Sequence, residues 1–184
     1  FSQIDAAFPL SIPEGATLGV EYVMHTMRWA KLIGCPCVDT TDDRFAPASM
    51  TEREALDHMK RIYRMVVPVA EAYGIVINIE PHGHFTTKPE FMEEMLAFCD
   101  SPCLGMNMDT GNTFIAGQDP VAFVERFKHR VRHVHIKDVS ASLAAAAMTN
   151  VWPFRASKRK RSASPGVKPP PNRKASGSRG MICP

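Results

Sequence analysis

The sequence predicts an α/β fold built from parallel βα units. Short apolar runs alternate with amphipathic stretches at intervals of about 25–35 residues, the rhythm of strands joined by crossover helices. The amphipathic stretches are bounded by capping residues in front and glycines behind. No glycine-rich phosphate loop follows any apolar run, which counts against a dinucleotide or P-loop fold. A doubly wound sheet and a (β/α) barrel both satisfy this pattern.

The elements follow in order. Residues 1–10 read as the end of one strand and its loop. Over 19–33, Val20, Val23, Met27 and Ala30 share one helical face, and Gly34 is a natural stop. Residues 35–40 read as a short strand running into the polar loop 41–43. Thr51 and Glu54 form a capping-box pattern that opens a second helix, with Leu56, Met59, Ile62, Tyr63 and Val66 inward. Pro68 should kink or split it, and Gly74 ends it. Residues 75–79 are a buried strand by composition.

The unit then repeats twice. Thr87 and Glu90 are expected to cap a third helix with Phe91, Met95 and Phe98 inward, leading to a strand over 104–108. Asp119 followed by Pro120 starts a further helix, with Val121, Val124 and Phe127 facing the core before a strand over 131–136.

Composition bounds the rest. The chain has 184 residues, 45% hydrophobic and 22% charged, enough for one domain with a core. The net charge of +3 hides a split. Residues 151–184 carry nine of the 22 basic residues and no acidic one, leaving 13 basic against 19 acidic residues over 1–150. With six of the fifteen prolines as well, 151–184 reads as a disordered basic tail on a mildly acidic domain spanning 1–150. No apolar run approaches the length of a membrane span, and Phe1 opens no recognisable leader. Five cysteines, oddly placed, favour reduced thiols and a cytoplasmic setting over a disulfide scaffold.

Three of the predicted strands end in candidate metal ligands: Glu80, Asp109 and His135, 29 and then 26 residues apart. In a parallel barrel such positions converge at the C-terminal mouth, where active sites are built. Two carboxylates and one imidazole suit Mn²⁺ foremost, with Mg²⁺ or Co²⁺ as alternatives. The lesser alternative for Asp109 is a helix cap. His133 and His135 share a face by the period of two, so one is assigned to metal and the other to a supporting role.

The stretches Asn78-Ile79-Glu80-Pro81-His82-Gly83, Asn107-Met108-Asp109-Thr110-Gly111-Asn112 and His133-Val134-His135-Ile136-Lys137-Asp138 together resemble the xylose isomerase-like TIM barrels. Within these they are similar to the sugar phosphate isomerase/epimerase branch, which includes ketose 3-epimerases and inosose dehydratase-like lyases. The resemblance covers residues 1–142. It implies a (β/α)8 TIM-barrel fold, here an incomplete barrel of four to five βα units. It also implies one divalent metal held by Glu80, Asp109 and His135, and a fourth ligand, a glutamate on a last strand, that the chain lacks.

By the same resemblance Glu80 is the catalytic base, His82, Asn112, Lys137 and Asp138 contact substrate, and His133 supports the site. The implied activity is isomerisation or epimerisation of a ketose or keto-sugar, through proton abstraction and an enediolate. The same scaffold also supports lyases of the inosose dehydratase or keto-glycoside type. The chain is expected to be a truncated barrel, inactive as 184 residues alone unless a second copy or a partner chain completes it. An open sheet is further expected to expose its edges and an apolar inner face. A rival reading is a non-catalytic fragment whose tail binds nucleic acid through Lys158-Arg159-Lys160-Arg161; without interleaved aromatics that cluster reads better as solvated charge.

Overall fold

The structure is a computed structural model and describes residues 1–8, 10–42 and 50–150. Strands β1 (Ile4–Asp5), β2 (Cys37–Thr40), β3 (Val76–Ile79), β4 (Leu104–Asp109) and β5 (Val131–His135) alternate with helices α1 (Pro13–Ile33), α2 (Glu52–Tyr73), α3 (Pro89–Ala97), α4 (Thr110–Ile115), α5 (Pro120–Phe127) and α6 (Ala141–Asn150). All four strand pairings are parallel, and the strands lie side by side in chain order. A doubly wound sheet reverses direction at a switch point, so unbroken order identifies this as half of a (β/α) barrel. The expected disordered tail and its basic cluster lie outside the described residues.

The core fills the space between the sheet and its helices. Val38, Ile77, Ile79, Met106 and Met108 from the strands pack with Val23 and Met27 of α1, Met59 and Tyr63 of α2, Met92 and Met95 of α3, and Phe123 of α5. Helices α1 and α2 both end on a left-handed glycine, Gly34 and Gly74. The capping box at the start of α2 forms as its sequence predicts, with Thr51 Oγ1 accepting from the Glu54 amide and the Glu54 carboxylate accepting from the Thr51 amide.

Several expectations are corrected. Helix α1 starts at Pro13, six residues earlier than its apolar periodicity suggests, because a proline in the first turn needs no donor partner. Pro68 does not split α2, which runs unbroken to Tyr73. Pro68 and Arg64, whose carbonyl loses its partner, are both exposed, while Val66, Val67 and Ala70 are held in the core. Thr87 does not cap α3: its hydroxyl donates to the Gly83 carbonyl, and Pro89 sets the helix start after Lys88. Val121 is 71% exposed and Phe123 takes the inward position. The two lie roughly 200° apart around the helix, and Phe123 and Phe127, one turn apart, fill the core instead.

The concave face also differs from expectation, being polar rather than apolar. Asp5, Asp39 and Asn78 occupy partner positions across β1, β2 and β3, while Asn107 and Asp109 lie opposite His133 and His135. Exposed apolar groups are found at and just beyond β5, where Val134 is 46% and Ile136 is 85% exposed and both border a cleft.

The pairing of β4 with β5 depends on an irregularity. Met106 pairs with Val131 but Asn107 pairs with His133, so Arg132 is an extra residue on β5. Gly105 makes room for it: a Cβ there would sit 2.5 Å from Arg132 Cγ and 2.7 Å from Asn78 Oδ1. The bulge turns both β5 histidines toward the concave face.

Candidate metal and active site

Glu80 follows β3 directly, Asp109 ends β4 and His135 ends β5, so the parallel sheet delivers all three to one end. Glu80 and Asp109 are buried and His135 is partly exposed. His135 Nδ1 lies 3.4 Å from Glu80 Oε2 and 3.6 Å from Asp109 Oδ2. A cleft of about 500 Å³ opens above them, lined by Asp5, Thr41, Glu80, His82, His135 and Lys137 among others.

Sequence reasoning overlooked two residues here. Asp39, on β2, is 1% exposed, and ligand atoms of Asp39, Glu80 and His135 lie within 4.8 Å of one another. Its one signal was a carboxylate inside an otherwise buried strand, a residue almost never fully buried without a partner. Asn107 sits at the centre: its Nδ2 lies 3.1 Å from Asp39 Oδ2, from Glu80 Oε2 and from His135 Nδ1. Its Oδ1 is 3.1 Å from His133 Nδ1, whose ring also meets Ser2 Oγ at 3.2 Å through Nε2. The amide orientation follows from this chain of contacts, since a flipped Asn107 would set its oxygen against three acceptors.

Electrostatics mark the same spot. Burial, followed by the neighbouring Glu80, pushes the Asp39 carboxyl far above its usual range. Burial and the adjacent His135 hold His133 below the ordinary histidine value, consistent with a neutral ring donating from Nδ1.

The remaining predicted residues divide. Asn112 Nδ2 donates to Glu80 Oε1 at 2.7 Å and its Oδ1 accepts from Lys137 Nζ at 3.2 Å. Lys137 Nζ also reaches Asp109 Oδ2 at 2.5 Å. Asp109 is additionally the N-cap of α4, its Oδ1 accepting from the Asn112 amide at 2.8 Å, so the cap reading of that residue is correct whatever else it does. His82 lines the cleft, and its Nδ1 is buried without a hydrogen-bond partner. Asp138 is exposed and does not line the cleft.

The loops around the cleft are tied by Asp42. Its Oδ2 accepts from the amides of Phe85 and Thr86 at 2.7 and 3.2 Å, and its Oδ1 from Thr86 Oγ1 at 2.7 Å. The segment after β2 is thereby fastened to the one after β3, which carries His82.

The donor set fits a divalent cation. Carboxylates from separate strands and an imidazole converge, and the buried Asp39 Oδ1 has no hydrogen-bond partner among the described residues. The Asn107 amide has two hydrogens for three neighbours, so hydrogen bonding leaves part of the cluster unsatisfied. The chemistry the arrangement offers is proton transfer at a carbon held beside a Lewis acid.

Comparison with known proteins places this geometry. The profile of the xylose isomerase-like TIM barrel family matches residues 3–166. An inosose dehydratase of Clostridium beijerinckii is 26% identical over 76 residues, covering 41% of this chain and 26% of that protein. A crystal structure of a D-tagatose 3-epimerase-like protein superposes with a TM-score of 0.66 at 27% identity, covering 74% of this chain and 55% of that one. The IOLI protein, crystallised with a zinc atom, superposes with a TM-score of 0.62 at 17% identity, covering 74% and 50%. In each case the match spans less than two thirds of the relative's own length.

Proposed function

The chain belongs to the xylose isomerase-like TIM barrel family, and we propose that its cleft is the site of a divalent-metal-dependent sugar isomerase or epimerase acting on a ketose or keto-sugar. The observation that carries this reading is the convergence of Glu80, Asp109 and His135 beside a cleft of about 500 Å³. Glu80, Asp109 and His135 would hold the metal, Mn²⁺ in the first place and Mg²⁺ or Co²⁺ as alternatives. The zinc atom bound by the IOLI protein, which shares the fold, supports a metal-dependent reading. When bound, such a cation supplies Lewis-acid polarisation of a carbonyl and its neighbouring hydroxyl.

The residues of the chain supply the rest. Glu80 is the base: buried, oriented by Asn107 and Asn112 from either side, and facing the cleft. Lys137, 46% exposed and held at Asn112 and Asp109, presents a cation at the rim for a sugar oxygen. His82 offers a further polar contact in the cleft, and Asp138 lies outside it. His133 works at one remove by fixing Asn107.

The second reading is a lyase on the same scaffold, supported by the likeness to inosose dehydratase. Base and metal are shared, and only the fate of the deprotonated carbon differs. The reading includes a second copy or a partner chain seated against β5, where Val134 and, just beyond the strand, Ile136 are exposed. It places the protein in the cytoplasm. Four cysteines among the described residues are free, and no helix there is long and apolar enough to cross a membrane.

The test is proton exchange in D₂O with Mn²⁺ and a panel of ketoses and keto-inositols, followed by NMR. Deuterium entering the carbon beside the carbonyl, and lost in Glu80→Gln, supports proton abstraction by Glu80. An epimer then marks the isomerase and loss of water the lyase. A folded, metal-loaded protein that exchanges no such proton, alone or as an assembled oligomer, refutes the reading.

A further inference from the structure

We infer that Asp39 is a ligand of the metal, joining Glu80 and His135 from a strand that the three sequence motifs do not include. The inference rests on the metal-dependent reading above and adds a residue to it. Asp39 comes from the middle of β2, while Glu80, Asp109 and His135 come from β3, β4 and β5 or their ends. It is nonetheless Asp39 that shares a 4.8 Å cluster of ligand atoms with Glu80 and His135.

The two aspartates are satisfied very differently. Asp109 spends Oδ1 on the α4 cap and has Oδ2 against the Lys137 ammonium. Asp39 has a 3.1 Å contact from Asn107 at Oδ2 and the Glu80 carboxyl within hydrogen-bond reach, and its buried Oδ1 has no hydrogen-bond partner among the described residues. A buried carboxyl oxygen left in that state is costly unless a proton or a cation compensates it. Asn107 cannot, because its two amide hydrogens already face Glu80 and His135 as well as Asp39. Among the described residues no basic side chain is paired with Asp39, whereas Lys137 serves Asp109. A divalent cation meets the requirement: its two charges and that of Lys137 balance the three carboxylates of Asp39, Glu80 and Asp109.

The experiment titrates the full 184-residue chain with Mn²⁺ alone, read by calorimetry and by Mn²⁺ electron paramagnetic resonance, beside Asp39→Asn, Asp39→Ser and Glu80→Gln. Circular dichroism and urea unfolding first establish which variants are folded, and the serine variant stands in if asparagine is poorly accommodated. The expected result is a loss of at least tenfold in Mn²⁺ affinity for a folded Asp39 variant, with an altered Mn²⁺ spectrum. Affinity within twofold of the parent in that variant, with binding lost in Glu80→Gln, overturns the role of Asp39 and leaves the metal site standing. A folded parent that binds no Mn²⁺ overturns the metal reading itself, and this inference falls with it.

Discussion

Lys137 Nζ and Asp109 Oδ2 stand 2.5 Å apart, a half-exposed cation set against a carboxylate with no solvent exposure of its own. The pair joins the segment beyond β5 to the start of α4, and Asn112 closes the triangle by accepting from the same lysine. Replacing Lys137 with Met leaves the Asp109 oxygen buried beside no cation. Because Lys137 is partly solvated, the loss is expected to be about 1–2 kcal/mol rather than the larger cost of breaking a fully buried pair. Urea unfolding of Lys137→Met against the parent measures it.

Gly111 is what lets Lys137 lie where it does. A Cβ at that position would meet Lys137 Cβ at 2.5 Å and Cδ at 3.0 Å. Gly111→Ala is therefore expected to displace the lysine and reproduce most of the Lys137→Met loss. The two changes should combine to less than their sum, a coupling that a double-mutant cycle reads directly. Full additivity would show that Gly111 matters for some other reason.

Asp39 predicts a pH dependence with a definite sign. Its carboxyl is raised from 3.8 to about 10 by burial first and by Glu80 second. A group raised on folding contributes stability that is complete below its unfolded value and is lost as pH climbs toward its folded one. Without metal, stability should fall as pH rises from about 4 toward 10, and Asp39→Asn should flatten that slope. Mn²⁺ binding should release a proton and strengthen with pH, which calorimetry in buffers of differing ionisation enthalpy detects.

Asp42 accepts three hydrogen bonds from Phe85 and Thr86 while fully buried. Asp42→Ala orphans two backbone donors and is expected to cost about 2–3 kcal/mol. It should also loosen the segment carrying His82, seen as faster amide exchange at Phe85 and Thr86. Exchange unchanged at those two amides would contradict the clamp.

Ile136 and Val134 form an exposed apolar patch at and just beyond β5, bordering the cleft. Changing both to Thr should reduce self-association in light scattering and move unfolding stability by less than about 0.5 kcal/mol. A large loss of stability would mean that the patch is packed in solution.

Much of this molecule was legible in its residue order. The βα alternation, the capping box at Thr51 and the glycine stops at 34 and 74 are local rules, and each formed where the pattern put it. Glu80, Asp109 and His135 were readable because a charged or imidazole group at the end of an apolar run stands out against its neighbours. Val121 was misplaced because eight residues of helix offer two competing apolar stripes, and only packing against the sheet chose the one through Phe123 and Phe127. Thr87 and Pro68 were misjudged for a related reason. A local propensity was overruled, once by a carbonyl four residues back and once by a core that grips α2 on both sides of its missing hydrogen bond.

The sequence by itself determined the fold class and the three ligand candidates, because periodicity and end-of-strand chemistry act within a few residues. Tertiary structure decided which groups meet. Asp39 and Glu80 are 41 positions apart, and Asn107 touches both only because β2, β3 and β4 lie side by side in parallel register. His133 faces Asn107 only because Arg132 bulges out of register against Gly105. Register and bulges arise from pairing between distant strands, so no window of local sequence contains them.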